Sequence, residues 1–297
     1  MEEKKLTIKD GSVAFLSAFL FSQLAIVLVT ILSMFICKFA GLDYESYQTF
    51  FNTSYGYLIL ASVMYLVIAI VFFFINRKKD NKIISKPSAK KIFLYILIAL
   101  LSFLTLYPII TCIDSLLVEW GFSLNTLSYE LNTSGYFISL ISIVILPAVV
   151  EELLFRGLIF KGLKQYGKVF SITISALIFS IYHMSIDQII YPFLMGLIFG
   201  VIMYKENNIL YCIAVHFTNN FVSLTLSYLD ISLAFNHWTY ILLAIILFIA
   251  FVGVVLYFIL KNRRLEQKEK ISSEGKVYFS VCLAIMLLIY IISAIQI

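Results

Sequence analysis

Charge is what this chain has least of. Asp, Glu, Lys and Arg together make up 13% of its 297 residues, while 62% are hydrophobic. A soluble domain carries charge at roughly a quarter of its positions, and with a mean hydropathy of +0.99 a soluble globular fold is excluded. Cysteine is also scarce. Cys37, Cys112, Cys212 and Cys282 all stand in apolar segments without the spacing of metal ligands, so neither a disulfide framework nor a zinc knuckle is expected. No cleavable signal peptide is evident, because the first apolar run, from about Val13, is long enough to span a bilayer and lacks a small-residue cleavage site. Internal repeats and low-complexity tracts are missing as well.

What is present is a series of apolar segments. A bilayer needs about 20 apolar residues per helix, and candidate spans lie near 12–40, 55–76, 92–118, 135–163, 169–186, 188–204, 208–228, 238–260 and 277–297. The expected fold class is an all-α polytopic transmembrane helix bundle of nine spans, or eight if the short, Pro192-bearing sixth does not cross. The net charge of +5 then concerns topology and no nucleic-acid partner is expected. Lys and Arg crowd the segments before the first span, at 77–91, at 156–168 and at 261–276. The loops at 41–54, 119–134, 184–190 and 229–237 hold neither, and only Lys38 approaches that side. This alternation predicts a cytoplasmic N-terminus and an external C-terminus. Trp120 and Trp238 fall at outer boundaries, as an aromatic belt would have them. The basic loops divide the chain into 1–91, 92–134, a polar-bearing core at 135–228, and 229–297. Richness in Ile, Lys, Asn, Tyr and Phe is what an AT-biased bacterial genome encodes, and the expected location is a bacterial cell membrane, crossed several times.

Within so apolar a chain the few ionisable residues at membrane depth carry most of the information. Each costs roughly 2.5–3.5 kcal/mol to insert and persists only when paired or facing a wet cavity. Glu151 and Glu152 follow the apolar run 136–150, and Arg156 follows them. Residues four apart share a helix face, so Glu152 and Arg156 form a structural ion pair and Glu151 faces elsewhere. Pro147 lacks an N–H and frees the carbonyl of Ile143, which predicts a kink or a wetted helix face beside the glutamates. The spans 135–163 and 169–186 form an antiparallel hairpin turning at about Gly167. Glu151 and His183 stand equally far before and after that turn, which makes them a candidate carboxylate–imidazole pair. His216 and Asn220 share a face of the 208–228 helix, with Asn219 beside them. Counted from the turn near Asn207, His216 rises roughly 14 Å against roughly 20–24 Å for Glu151, a gap that helix tilt or unequal loops would have to close.

Each residue also has a plainer reading. Glu151 could be a buried packing carboxyl, the histidines packing or proton-relay groups, Asn219 a helix-to-helix bond and Phe179 a core ring. Asp114 and Asp187 read as interfacial and His237 as solvated. Glu, His and His-plus-Asn on three helices together resist attribution to packing. They also fit a proton or ion pathway, but neither an inverted repeat nor paired broken helices is visible to support a transporter.

The three segments Glu151-Glu152-Leu-Leu-Phe-Arg156, Phe179-Ser-Ile-Tyr-His183 and His216-Phe-Thr-Asn-Asn220 resemble the ordered motifs of the CAAX-protease and bacteriocin-processing family of intramembrane proteases. The likeness covers about 90 residues, from roughly 140 to 228, and matches at every motif position. It implies a membrane-embedded endopeptidase acting on a membrane-associated peptide or protein. In that reading Glu151 is the general base, His183 orients or shares the proton, and His216 and Asn220 serve the oxyanion. Glu152, Arg156, Phe179 and Asn219 are supporting residues. The resemblance leaves two further options, zinc held by Glu151, His183 and His216, or a non-catalytic bacteriocin-immunity relative. The absence of a His-Glu-x-x-His helix and the metal-independent glutamate branch of the family favour no cofactor.

Overall fold

A computed structural model of the chain describes residues 5–77, 79, 81–122, 132–185, 188–231, 238–261 and 269–295. Asp187 and His237 lie outside the described residues, as do Lys4, Lys78, Arg263, Arg264 and Lys268 of the basic segments. The chain is an all-α membrane bundle, with ten helices among the described residues. They are α1 (Ile8–Phe39), α2 (Tyr44–Phe51), α3 (Ser54–Asn76), α4 (Ala89–Glu119), α5 (Thr133–Lys164), α6 (Lys168–Tyr182), α7 (Ile190–Glu206), α8 (Ile209–Tyr228), α9 (Trp238–Leu260) and α10 (Ser273–Ile295). A helix stands at each of the nine expected spans, and α2 adds a short one in the loop after the first. Five of them, α1, α3, α4, α5 and α8, are long and apolar enough to cross a membrane, while α6 is a shorter apolar helix.

Local chemistry explains the boundaries. Thr7 and Asp10 close a reciprocal capping box at the start of α1. Asp43, Thr53, Asn132 and Asn208 each cap the following helix by accepting a backbone N–H. The α5–α6 hairpin turns at Gly167, whose φ of 111° is a left-handed conformation natural to glycine. α7 passes to α8 through Asn207, also left-handed at φ 48°.

α5 runs through the centre. Half of its apolar window is buried inside the protein, against 11% for α1. α1 and α3 pack side by side, α10 covers α1, and α4 lies against α8 and α9. The outer faces carry exposed Leu20, Phe21, Leu24, Leu28, Leu32 and Phe35 on α1 and Leu66, Phe73 and Phe74 on α3. On a water-facing surface so large an apolar patch would drive association; in a bilayer it is the lipid contact. α6 and α7 meet through small residues. A Cβ on Gly196 would stand 2.9 Å from the Cα of Ala176, so glycine here sets the helix separation.

α5 is not a uniform helix. π-helical turns at Leu140–Ile145 and Leu153–Phe160 flank an α-helical turn, Leu146–Glu152, that holds Pro147 and both glutamates. Leu146 N–H bonds back to Ile141 O, one residue further than in an α-helix. The kink expected from Pro147 thus takes the form of a π-bulge, the usual way an extra residue is accommodated near a functional site.

Candidate active site

Glu152 and Arg156 form the expected pair, and both are fully buried. Arg156 Nη1 donates to Glu152 Oε1 at 3.0 Å. Its other terminal nitrogen donates to the carbonyl of Gly196 at 3.3 Å, an oxygen that the close α6–α7 packing leaves within reach. The guanidinium lies over Phe179 at 4.5 Å and over Phe199 at 4.6 Å from the ring centroids, and such desolvated cation–π contacts suit its planar, weakly hydrated charge.

The same oxygen of Glu152 has a second partner that no sequence spacing signals. His216 Nδ1 lies 3.0 Å from Glu152 Oε1. A carboxylate only accepts, so Nδ1 carries the hydrogen and Nε2 is turned away from Glu152. It is turned toward Glu151, with His216 Nε2 standing 4.0 Å from Glu151 Oε2. The height difference between His216 and Glu151 estimated from residue counts is therefore closed. The His216 ring stacks on Phe199 at 5.2 Å, and Phe179 meets it edge-on at 5.9 Å.

Glu151 is 5% exposed and its two oxygens have different surroundings. Oε1 accepts a hydrogen bond from the hydroxyl of Tyr65 on α3 at 2.9 Å. Oε2 has no hydrogen-bond partner among the described residues. The hairpin register is the expected one, since Phe155 packs edge-on against Phe179 at 5.0 Å. Yet no hydrogen bond or ion pair joins Glu151 to His183 among the described residues. Equal height is not a shared face: Glu151 turns toward α3 and α8. His183 Nδ1 is 2.9 Å from the carbonyl of Phe179 in its own helix, so that nitrogen donates and Nε2 is the acceptor. His183 still belongs to the cluster, its ring 5.1 Å from Phe179, which places Phe179 between the two histidines.

Asn220 meets the carbonyl that Pro147 frees. Its Nδ2 donates to Ile143 O at 3.0 Å, joining α8 to the bulge of α5. Asn219 Nδ2 donates to Asn220 Oδ1 at 3.4 Å, and Tyr191 of α7 donates to Asn219 Oδ1. The α8 amides thus form a chain that holds Asn220 in one orientation.

Among the described residues no three His, Cys, Asp or Glu side chains are grouped so as to hold a metal ion. Glu151 and His216 approach each other, but His183 does not complete a trio with them, so this arrangement does not fit the zinc option. Four features of the site escape sequence reading: the His216–Glu152 bond, the Asn220–Ile143 bond, Tyr65, and the buried hydroxyl of Tyr182, which has no hydrogen-bond partner among the described residues. A phenol in the middle of an apolar span is the one signal that could have drawn attention to Tyr65.

Residues 133–222 match the family model described as type II CAAX prenyl endopeptidase Rce1-like. No curated protein and no solved structure matches the chain. The matched segment holds α5 from its first residue to its last, α6, α7 and most of α8, and with them all three motifs. The match over residues 133–222 supports the resemblance to the CAAX-protease and bacteriocin-processing family of intramembrane proteases.

Proposed function

We propose that the protein hydrolyses a peptide bond in a membrane-associated peptide or protein, with Glu151 as general base. The observation that carries this reading is the opposition of Glu151 Oε2, which has no hydrogen-bond partner among the described residues, to His216 Nε2 at 4.0 Å. A base and a hydrogen-bonding imidazole aimed at one point are what water-activated acyl transfer requires.

Glu151 Oε2 takes a proton from water, and the water oxygen adds to the carbonyl carbon of the substrate. His183, with Nε2 as acceptor, orients that water. The carbonyl oxygen becomes an oxyanion, stabilised by the N–H of Asn220 not given to Ile143 and by His216 in the form that carries a proton on Nε2 as well as on Nδ1. The C–N bond then breaks, and the proton on Glu151 passes to the leaving nitrogen. Glu152 holds the His216 ring, and Arg156 ties Glu152 to the Gly196 carbonyl of α7. No metal enters these steps.

The position of the site among apolar helices supports a substrate segment presented by the membrane, such as a bacteriocin or pheromone precursor, prenylated or not. The test is a cleavage assay on candidate precursor peptides in cells carrying wild-type or Glu151→Ala protein. Cleavage by wild type and none by the variant is expected. Equal processing by both, with both proteins present in the membrane, would overturn the assignment.

A further inference from the structure

α3 lies outside residues 133–222, the segment matched by the family model, and carries none of the three motifs. It nevertheless supplies the hydrogen-bonding partner of the proposed base. Tyr65 is itself 6% exposed, and its hydroxyl reaches Glu151 Oε1 at 2.9 Å across 86 residues of sequence.

We propose that Tyr65 is a positioning residue for catalysis, which pins one oxygen of Glu151 and thereby commits the other to the reaction. The inference rests on Glu151 acting as general base. Glutamate is a poor choice for an exact base unless it is held. Its two oxygens are equivalent and its terminal torsion is broad. The carboxylate accepts from the phenol, which fixes the plane of the group and leaves Oε2 facing His216 Nε2. Tyr65 on α3 and His216 on α8 are turned toward Glu151, Tyr182 on α6 interacts with it electrostatically, and Glu152 and Arg156 on α5 itself are paired with each other. Among the described residues only Tyr65 donates a hydrogen bond to Glu151.

A purely structural role for the phenol would predict a different arrangement. Burying a carboxylate is costly until its oxygens are satisfied, and packing alone would favour partners for both. Here one oxygen is bound and the other is buried without a hydrogen-bond partner among the described residues. That asymmetry is what a base with a single working oxygen needs, and it makes a helix outside the matched segment part of the active site.

The test compares wild type, Tyr65→Phe and Glu151→Gln as full-length protein in detergent or proteoliposomes, on the precursor peptide cleaved by wild type. Tyr65→Phe keeps the ring and removes only the donor. The expected result is a fall in kcat per folded molecule of about 10-fold to 100-fold, the equivalent of a hydrogen bond to a charged group, with KM unchanged. Wild-type kcat in folded Tyr65→Phe would overturn the inference. So would a loss of total activity accounted for entirely by a smaller folded fraction, since that is the signature of a structural bond. If Tyr65→Phe accumulates poorly, a ring-fluorinated tyrosine at position 65 retains shape and bond while changing donor strength. Its kcat must shift at unchanged unfolding temperature, and an unshifted kcat refutes the proposal. Glu151→Gln separates the two levels: full activity in that variant removes the general base itself, whereas an inactive Glu151→Gln beside a fully active Tyr65→Phe removes only the role of Tyr65.

Discussion

His216 Nδ1 and Arg156 Nη1 both lie 3.0 Å from Glu152 Oε1. One carboxylate oxygen therefore ties Arg156 of α5 to His216 of α8. The two adjacent glutamates divide the imidazole between them, Glu152 at Nδ1 and Glu151 facing Nε2. Orientation of a catalytic ring by a carboxylate on its far nitrogen fixes both tautomer and direction.

This arrangement separates the effects of two neighbouring substitutions. Glu152→Gln removes the charge partner of a fully buried arginine, and breaking such a pair costs about 3–5 kcal/mol. Reduced membrane accumulation and a lower unfolding temperature are expected, and the surviving protein should be slow because His216 loses its guide. Glu151→Gln should accumulate normally and be inactive. A stable but dead Glu152→Gln beside an active Glu151→Gln would reverse the two roles, as read from immunoblots and peptide cleavage together.

Asn220→Ala should show a mixed defect. It withdraws a proposed oxyanion donor and also strands the carbonyl of Ile143, and leaving a buried acceptor unpaired costs about 1–3 kcal/mol. Unfolding temperature and kcat should fall together. His216→Ala should leave a slow residual rate, since one oxyanion donor is worth about 10²–10³ in turnover. A His216→Ala protein with undiminished kcat would exclude it from that role.

Metal dependence has a direct test. Activity should survive exhaustive chelation, and purified protein should lack stoichiometric zinc by elemental analysis. Loss of a catalytic metal removes nucleophile and Lewis acid at once. Turnover abolished by chelator and restored by added zinc would therefore decide for a metalloprotease.

Topology is testable without any substrate. The distribution of Lys and Arg predicts a cytoplasmic reading for a reporter fused after Lys86 or Arg264, and an external one at Ser128 or Ile231. An external signal at Arg264 would overturn the nine-span arrangement.

Much of the bundle was legible in the sequence because bilayer physics leaves few options. Apolar length marks each helix, and α1 to α10 fall within a few residues of the expected spans, α2 excepted because eight mixed residues carry no spanning signal. The Glu152–Arg156 bond was legible because it lies within one helix, where spacing alone fixes the face. Pro147 pointed to a freed carbonyl at Ile143, but that Asn220 would meet it could not be read, since partners on separate helices depend on tilt and rotation. For the same reason equal height suggested Glu151 with His183, whereas helix rotation brings His216 to Glu151 instead. Tyr65 stood among 19 tyrosines with no motif around it.

The bond from Asn220 to Ile143 also bears on the order in which the protein is made. α5 is synthesised and inserted before α8, so its bulge enters the membrane with one backbone carbonyl lacking its final partner. A hydrocarbon environment does not leave such a group unsatisfied at no cost. The finished geometry of α5 is therefore reached only when α8 docks, and the same docking event delivers His216 to the glutamates. Assembly thus completes the proposed catalytic centre only when the last contributing helix is in place.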